Sequence, residues 1–149
     1  MLGSDQGRTV YKKKLINLVE RYNLYKKVKF INHCKEMPLA YSLADVVVSA
    51  SIEPEAFGRV AVEAQSMSKP IVASNIGGSK ETILNKKSGI LYKFDDPREL
   101  AKSLNTVIQL TQDELKSMGN EGRKNITKKF DIETMCDTNL NEYKKLLKN

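Results

Sequence analysis

Two carboxylates eight residues apart, Glu55 and Glu63, mark the stretch of this chain whose residue types best suit chemistry. They flank Gly58 and Arg59 in S-A-S-I-E-P-E-A-F-G-R-V-A-V-E-A-Q-S-M, residues 49–67. Glu55 falls in a Pro- and Gly-bearing turn, and Glu63 about two turns into the helix-forming segment that follows. On a helical wheel Glu63 lies between Val60 and Met67 with Ala64 close by, a setting where an unpaired carboxylate is costly. Spacing alone leaves two readings of it. Either it meets a backbone N–H or a Lys inside the fold, or it accepts hydrogen bonds from the hydroxyls of a bound ligand. Gly58 at the helix start would let a ligand approach bare N–H groups, which favour anions. Arg59, in the first turn, opposes the helix dipole. A nearby anion would account for it, and so would solvent exposure or a pair with Glu53.

A strand, a tight loop and a helix must position these groups. Val46-Val47-Val48 reads as the strand, and ligands of such βα units gather at the carboxyl ends of the strands. Upstream, Tyr11, Leu15, Leu18 and Tyr22 recur at helical spacing, which predicts an amphipathic helix over about Thr9 to Tyr22. Leu2 to Arg8 reads as a loop, Val28 to Asn32 as a short strand, and Pro38 to Leu43 as a brief helix. Downstream, Ile71 to Ser74 and Gly89 to Tyr92 are expected strands, with a short helix capped by Ser79 and running to Leu84 between them. Asp96-Pro-Arg-Glu99 combines a capping side chain, an N1 proline and an N3 glutamate, and predicts a helix to about Leu110. Thr111-Gln-Asp-Glu114 is a second capping box, opening a helix expected to stop near Met118, with Gly119 and Gly122 as breaks. Asp131 caps a last helix ending near Leu147. Strands alternating with helices predict an α/β fold with a mostly parallel sheet.

Composition narrows the function classes. The chain has 149 residues, 40% of them hydrophobic, which suits one domain with a real core. The net charge is +7, but the lysines fall in scattered groups at residues 12–14, 26–29, 86–87, 128–129 and 144–148. No helix-turn-helix, zinc-finger or aromatic RNA-binding pattern accompanies them, so a solvated surface is the expectation and a specific nucleic-acid partner is not. Cys34 and Cys136 show no metal or redox spacing and are expected to be reduced. With one histidine no metal site is expected, and no cofactor. No run reaches the length of a membrane span and no signal pattern opens the chain, which reads as cytoplasmic. Peripheral contact with the inner face of a membrane is left open.

Glu55-Ala-Phe-Gly-Arg-Val-Ala-Val-Glu63 resembles the E-x7-E signature of retaining glycosyltransferases of the GT-B, family-4 kind. The flanking segments Asp45-Val-Val-Val-Ser-Ala-Ser, Lys69-Pro-Ile-Val-Ala-Ser-Asn-Ile-Gly-Gly, Glu81-Thr-Ile and Ser88-Gly-Ile-Leu-Tyr resemble that family's C-terminal, donor-binding domain in the same order. The resemblance runs from Leu2 to about Tyr143. It implies a Rossmann-like parallel sheet with helices on both faces, a partial C-terminal half of a GT-B fold. The chain would be one donor-binding domain over residues 1–149, incomplete at its N-terminus and ending in a C-terminal helix at 131–149.

By that resemblance Glu55 is the catalytic position, contacting hydroxyls of the donor sugar, and Glu63 holds the nucleotide ribose. Backbone N–H groups at Ala56, Phe57, Gly58, Arg59 and Val60 would face the donor's diphosphate or sugar. Asn32 and His33 occupy the loop where the family lays the base, with His33 a surface or stacking residue. Gly77 and Gly78 would line the cleft, or form a plain turn. Gly3 to Gly7 resembles a glycine-rich loop, although a turn there needs no ligand.

The family's first strands, the Arg and Lys that clamp the diphosphate, and its acceptor-binding domain have no counterpart here. Partners implied are therefore a nucleotide-diphosphate sugar and the missing N-terminal acceptor domain or a partner chain. The function implied is retaining hexosyl transfer to an acceptor hydroxyl, in cell-surface polysaccharide or lipopolysaccharide synthesis. A non-catalytic nucleotide-sugar binding module, or one subunit of a split enzyme, is the alternative. Unpaired apolar strand edges further lead us to expect low stability or self-association.

Overall fold

In a computed structural model the chain divides into two compact units, residues 1–40 and 41–149. The structure describes residue 7, residues 9–32 and residues 34–147. The expected loop over Leu2 to Gln6 and Arg8, with its glycine-rich pattern, and His33 lie outside the described residues.

In the first unit, α1 (Thr9–Arg21) forms where the apolar spacing places it, yet none of its residues is buried. Tyr11 and Leu18 on its apolar stripe remain exposed, as does Tyr22 just past its end. Asn23, at φ 54°, turns the chain out of the helix, and the Leu24 N–H donates back to the Val19 carbonyl at 2.8 Å. The strand expected over Val28 to Asn32 is not a strand. Only Ile31 carries a bridge-type pairing. β-Propensity reflects packing against ladder neighbours, and among the described residues no strand ladders with this segment. α2 (Met37–Ser42) follows and crosses the unit boundary at Tyr41.

The second unit is built on β1 (Val47–Ser49), β2 (Ile71–Ser74) and β3 (Gly89–Tyr92), a parallel sheet in the order β1-β2-β3. Val47 pairs with Ile71, and Ile71 with Gly89. β2, with neighbours on both sides, is buried along its whole length, as its apolar residues Ile71 to Ala73 require. Val72 packs with Tyr92 of β3 and Val107 of α5 (Pro97–Ile108), and Leu100, Leu104, Leu110 and Leu115 close around them. α3 (Arg59–Ser66) packs on α6 (Gln112–Lys129), and α4 (Ser79–Thr82) connects β2 to β3.

Local caps set most helix starts. The Asp96 carboxylate accepts from the N–H groups of Arg98 and Glu99, both at 3.1 Å, with Pro97 at N1. Thr111 and Glu114 close the reciprocal capping box on α6. Asp131 accepts from the Thr134 N–H at 2.7 Å and starts α7 (Ile132–Leu146). Ser79 does not cap α4. It is that helix's first residue, the cap position is Gly78, and the helix stops at Thr82, short of Leu84.

The expected break at Gly119 and Gly122 does not occur, because α6 runs through both to Lys129. These glycines make room. A Cβ at Gly119 would run into the Ser68 carbonyl oxygen, and one at Gly122 would sit 2.9 Å from Cγ of Gln65. Each costs roughly 1 kcal/mol of helix propensity, which the close α3–α6 contact offsets. Gln65, fully buried, donates to the carbonyls of Ala61 and Thr82 at 3.1 Å each, and Asn125 of α6 donates to the same Thr82 carbonyl. Three helices are thereby tied at one point beside the sheet.

Candidate functional site

β1 ends at Ser49, and the chain reaches α3 through an extended loop over residues 50–58. Side chains from two strands' ends shape that loop. Ser74, the last residue of β2, donates its hydroxyl to the Ser51 carbonyl at 2.7 Å. The Ser51 hydroxyl in turn donates to Oε1 of Glu55 at 2.5 Å, leaving the exposed carboxylate with its other oxygen open. Phe57 stacks in a tilted arrangement on Phe130, the residue that ends α6, with ring centroids 5.8 Å apart.

Gly77 and Gly78 act on this loop from the other side. The Gly78 N–H donates to the Glu55 carbonyl at 2.8 Å. A Cβ at Gly77 would come within 2.8 Å of the Glu55 nitrogen, and one at Gly78 within 2.6 Å of the Phe57 carbonyl carbon. The two glycines hold the loop after β1 against the turn after β2.

α3 opens at Gly58, whose φ of 74° and ψ of 59° lie in the left-handed region that glycine enters without steric cost. No side chain caps the helix there. The N–H groups of Arg59 and Val60, in its first turn, have no partner among the described residues and lie at the positive end of the helix. Ser79 lies beside Gly58, its Oγ 3.7 Å from where a Cβ would be.

Glu63 completes the arrangement. Its Oε1 accepts from a guanidinium nitrogen of Arg59 at 3.0 Å and its Oε2 from the Tyr41 hydroxyl at 2.9 Å. The side chain keeps 33% of its surface exposed, against 84% for Arg59. Neither partner foreseen within the fold, a Lys or a backbone N–H, is used. Arg59 pairs with Glu63, not with Glu53. An exposed i,i+4 pair adds only about 0.3–0.5 kcal/mol, so stability does not explain the arginine. Tyr41 is itself buried, at 5% exposure. Its hydroxyl is pushed above the usual phenol range by burial first and then by the Glu63 carboxylate that it bonds, so it stays a donor.

The structure thus brings Glu55, Ala56, Phe57, Gly58, Arg59, Val60, Glu63, Gly77 and Gly78 to one end of the sheet in the second unit. Asn32 belongs to the first unit. Tyr41, Ser51 and Ser74 went unnoticed in the sequence. Ser51 lies four residues from Glu55, a local spacing. Tyr41 lies 22 residues from its partner. Among the described residues no helix is long and apolar enough to cross a membrane.

Residues 6–125 match the family described as glycosyl transferases group 1. A D-inositol 3-phosphate glycosyltransferase of Corynebacterium urealyticum is 36% identical over 109 residues, 71% of this chain and 26% of that protein. A crystal structure of a glycosyltransferase from Rickettsia africae superposes with a TM-score of 0.93 at 31% identity, covering 100% of this chain and 40% of that one. Anabaena HepE, solved in complex with UDP-glucose, gives a TM-score of 0.88 at 28% identity over 97% of this chain and 40% of its own. The chain therefore spans between a quarter and two fifths of the length of these relatives.

Proposed function

The chain belongs to the glycosyl transferases group 1 family, and from that premise we propose that it carries the nucleotide-sugar-binding side of a retaining glycosyltransferase. The substrate is a nucleoside-diphosphate hexose, and the wider reaction passes the hexosyl group to an acceptor hydroxyl in the synthesis of a surface polysaccharide or lipopolysaccharide. One observation carries the reading. α3 begins without a side-chain cap, with one carboxylate in the loop before it and another one turn inside it, held by one and two side-chain hydrogen bonds that leave acceptor sites unused.

Each part suits one part of the donor. The uncapped first turn offers N–H groups and the positive end of the dipole to a diphosphate. Glu63 accepts from the ribose diol, and Glu55 from hydroxyls of the sugar. Charge that develops on the leaving diphosphate is met by fixed N–H dipoles, and preorganised stabilisation of this kind usually contributes more to transfer chemistry than any other single effect. Asn32 and His33, in the segment that resembles the family's base-binding loop, are assigned to the base by that resemblance alone.

UDP, with which the Anabaena relative has also been solved, is the first to test. A panel of nucleoside diphosphates and nucleotide sugars should raise the melting temperature of the protein, since a ligand of the folded state alone stabilises it. Glu63→Gln keeps the shape but loses a charge-assisted hydrogen bond of roughly 1.5–3 kcal/mol. Affinity for the stabilising nucleotide should fall about tenfold or more, with little change in the melt without ligand. A large loss of stability at unchanged affinity would refute the assignment of Glu63.

A further inference from the structure

We propose that Tyr41 is a positioning residue for the nucleotide, orienting the Glu63 carboxylate so that its remaining acceptor sites match the vicinal hydroxyls of a ribose. This rests on the reading of Glu63 as the ribose contact. It deepens that reading by naming a ligand class, ribonucleotides over nucleotides lacking the diol.

An ionised carboxylate has about four acceptor sites, two on each oxygen. The Arg59 guanidinium occupies one on Oε1 and the Tyr41 hydroxyl one on Oε2, at 3.0 and 2.9 Å. One site per oxygen remains, and a cis-diol presents two O–H donors. A carboxylate free to rotate would offer the same two sites only part of the time.

Of the two partners, Tyr41 is the one able to fix the plane. Arg59 is 84% exposed and held to Glu63 by a single nitrogen, so its long side chain gives little restraint. The Tyr41 residue is buried, and hydrogen bonds hold the backbone at and just after it. Its carbonyl accepts from the Ala44 N–H at 3.1 Å. The carbonyl of the next residue, Ser42, accepts from Nζ of Lys69, two residues before β2, at 2.9 Å. A phenylalanine would fill the ring's space equally well, and a buried hydroxyl costs free energy unless it is partnered. Its partner is a group still one-third open to solvent, where a ligand can reach it.

The test uses the full chain with UDP and 2′,3′-dideoxy-UDP as probes, titrated by calorimetry into wild type, Tyr41→Phe, Glu63→Gln and the double variant. Tyr41→Phe should weaken UDP about three- to tenfold, the size of one net hydrogen bond. It should leave dideoxy-UDP affinity unchanged and the ligand-free melting temperature close to wild type. In the Glu63→Gln background it should cost less than about twofold, because the group it acts through is already altered. UDP binding that Glu63→Gln weakens and Tyr41→Phe does not would overturn this inference and leave the ribose reading standing. Equal weakening of both probes, or fully additive losses in the double variant, would overturn it as well. Failure of wild type to bind UDP or any other nucleoside diphosphate would fell the ribose reading and this inference together.

Discussion

Gly78→Ala separates two forces at the turn that positions the carboxylate loop. Gly78 has φ −61° and ψ −18°, an ordinary right-handed conformation that alanine adopts freely. By chain entropy alone the substitution would stabilise the protein by about 0.4–1 kcal/mol. Space decides otherwise. The added Cβ would lie 2.6 Å from the Phe57 carbonyl carbon and oxygen and 2.7 Å from its Cα, and the separation would have to grow to about 3.4 Å for ordinary contact. The obstacle is backbone, which cannot swing aside as a flexible side chain can. Overpacking of this kind costs roughly 1–3 kcal/mol.

The net expectation is a loss of about 0.5–2 kcal/mol, read as a fall of roughly 2–8 °C in the thermal melt of a chain this size. The displaced atoms belong to the segment between Glu55 and the start of α3. UDP-glucose affinity should therefore fall at least about tenfold, which is more than the change in stability alone would produce. An unchanged or raised melting temperature with unchanged affinity would refute the idea that close approach of Gly78 to Phe57 sets the loop.

Two further outcomes follow from the helices. Hydrogen bonds from Thr111 hold the Glu114 carboxyl below its ordinary value, and those from Thr134 do the same for Asp131. Groups with lowered values stabilise above their unfolded value, about 4, and lose that contribution as pH falls through the folded one. Helical circular dichroism should hold from neutral pH to about 5 and then decline, with Asp131→Asn and Glu114→Gln flattening the decline. A second outcome concerns association. α7 leaves Ile132, Met135, Leu140, Tyr143 and Leu146 exposed at 50% or more, and among the described residues β1 lies at the edge of the sheet with Val48 exposed. Light scattering should show mass rising with concentration, and Leu140→Glu with Tyr143→Glu should reduce it. A monodisperse monomer at all concentrations would refute this.

What could be read from the sequence is what short-range interactions decide. Caps at Asp96, Thr111 and Asp131 work through bonds spanning two or three residues, so their helices begin where the pattern says. Strands β1 to β3 carry apolar runs too short for helices, and the Glu55–Glu63 pair sits on the expected strand, loop and helix. Contacts between distant segments decided the rest. Gly119 and Gly122 look like helix breaks until Ser68 and Gln65 come to lie against them, where only hydrogen fits. Val28 to Asn32 has a strand's composition but lacks a described ladder partner, and composition supplies no hydrogen bonds. Glu63 was visible as a carboxylate in need of donors. That one of them is the hydroxyl of Tyr41, from another helix, depended on how the chain returns past α2, which no periodicity records.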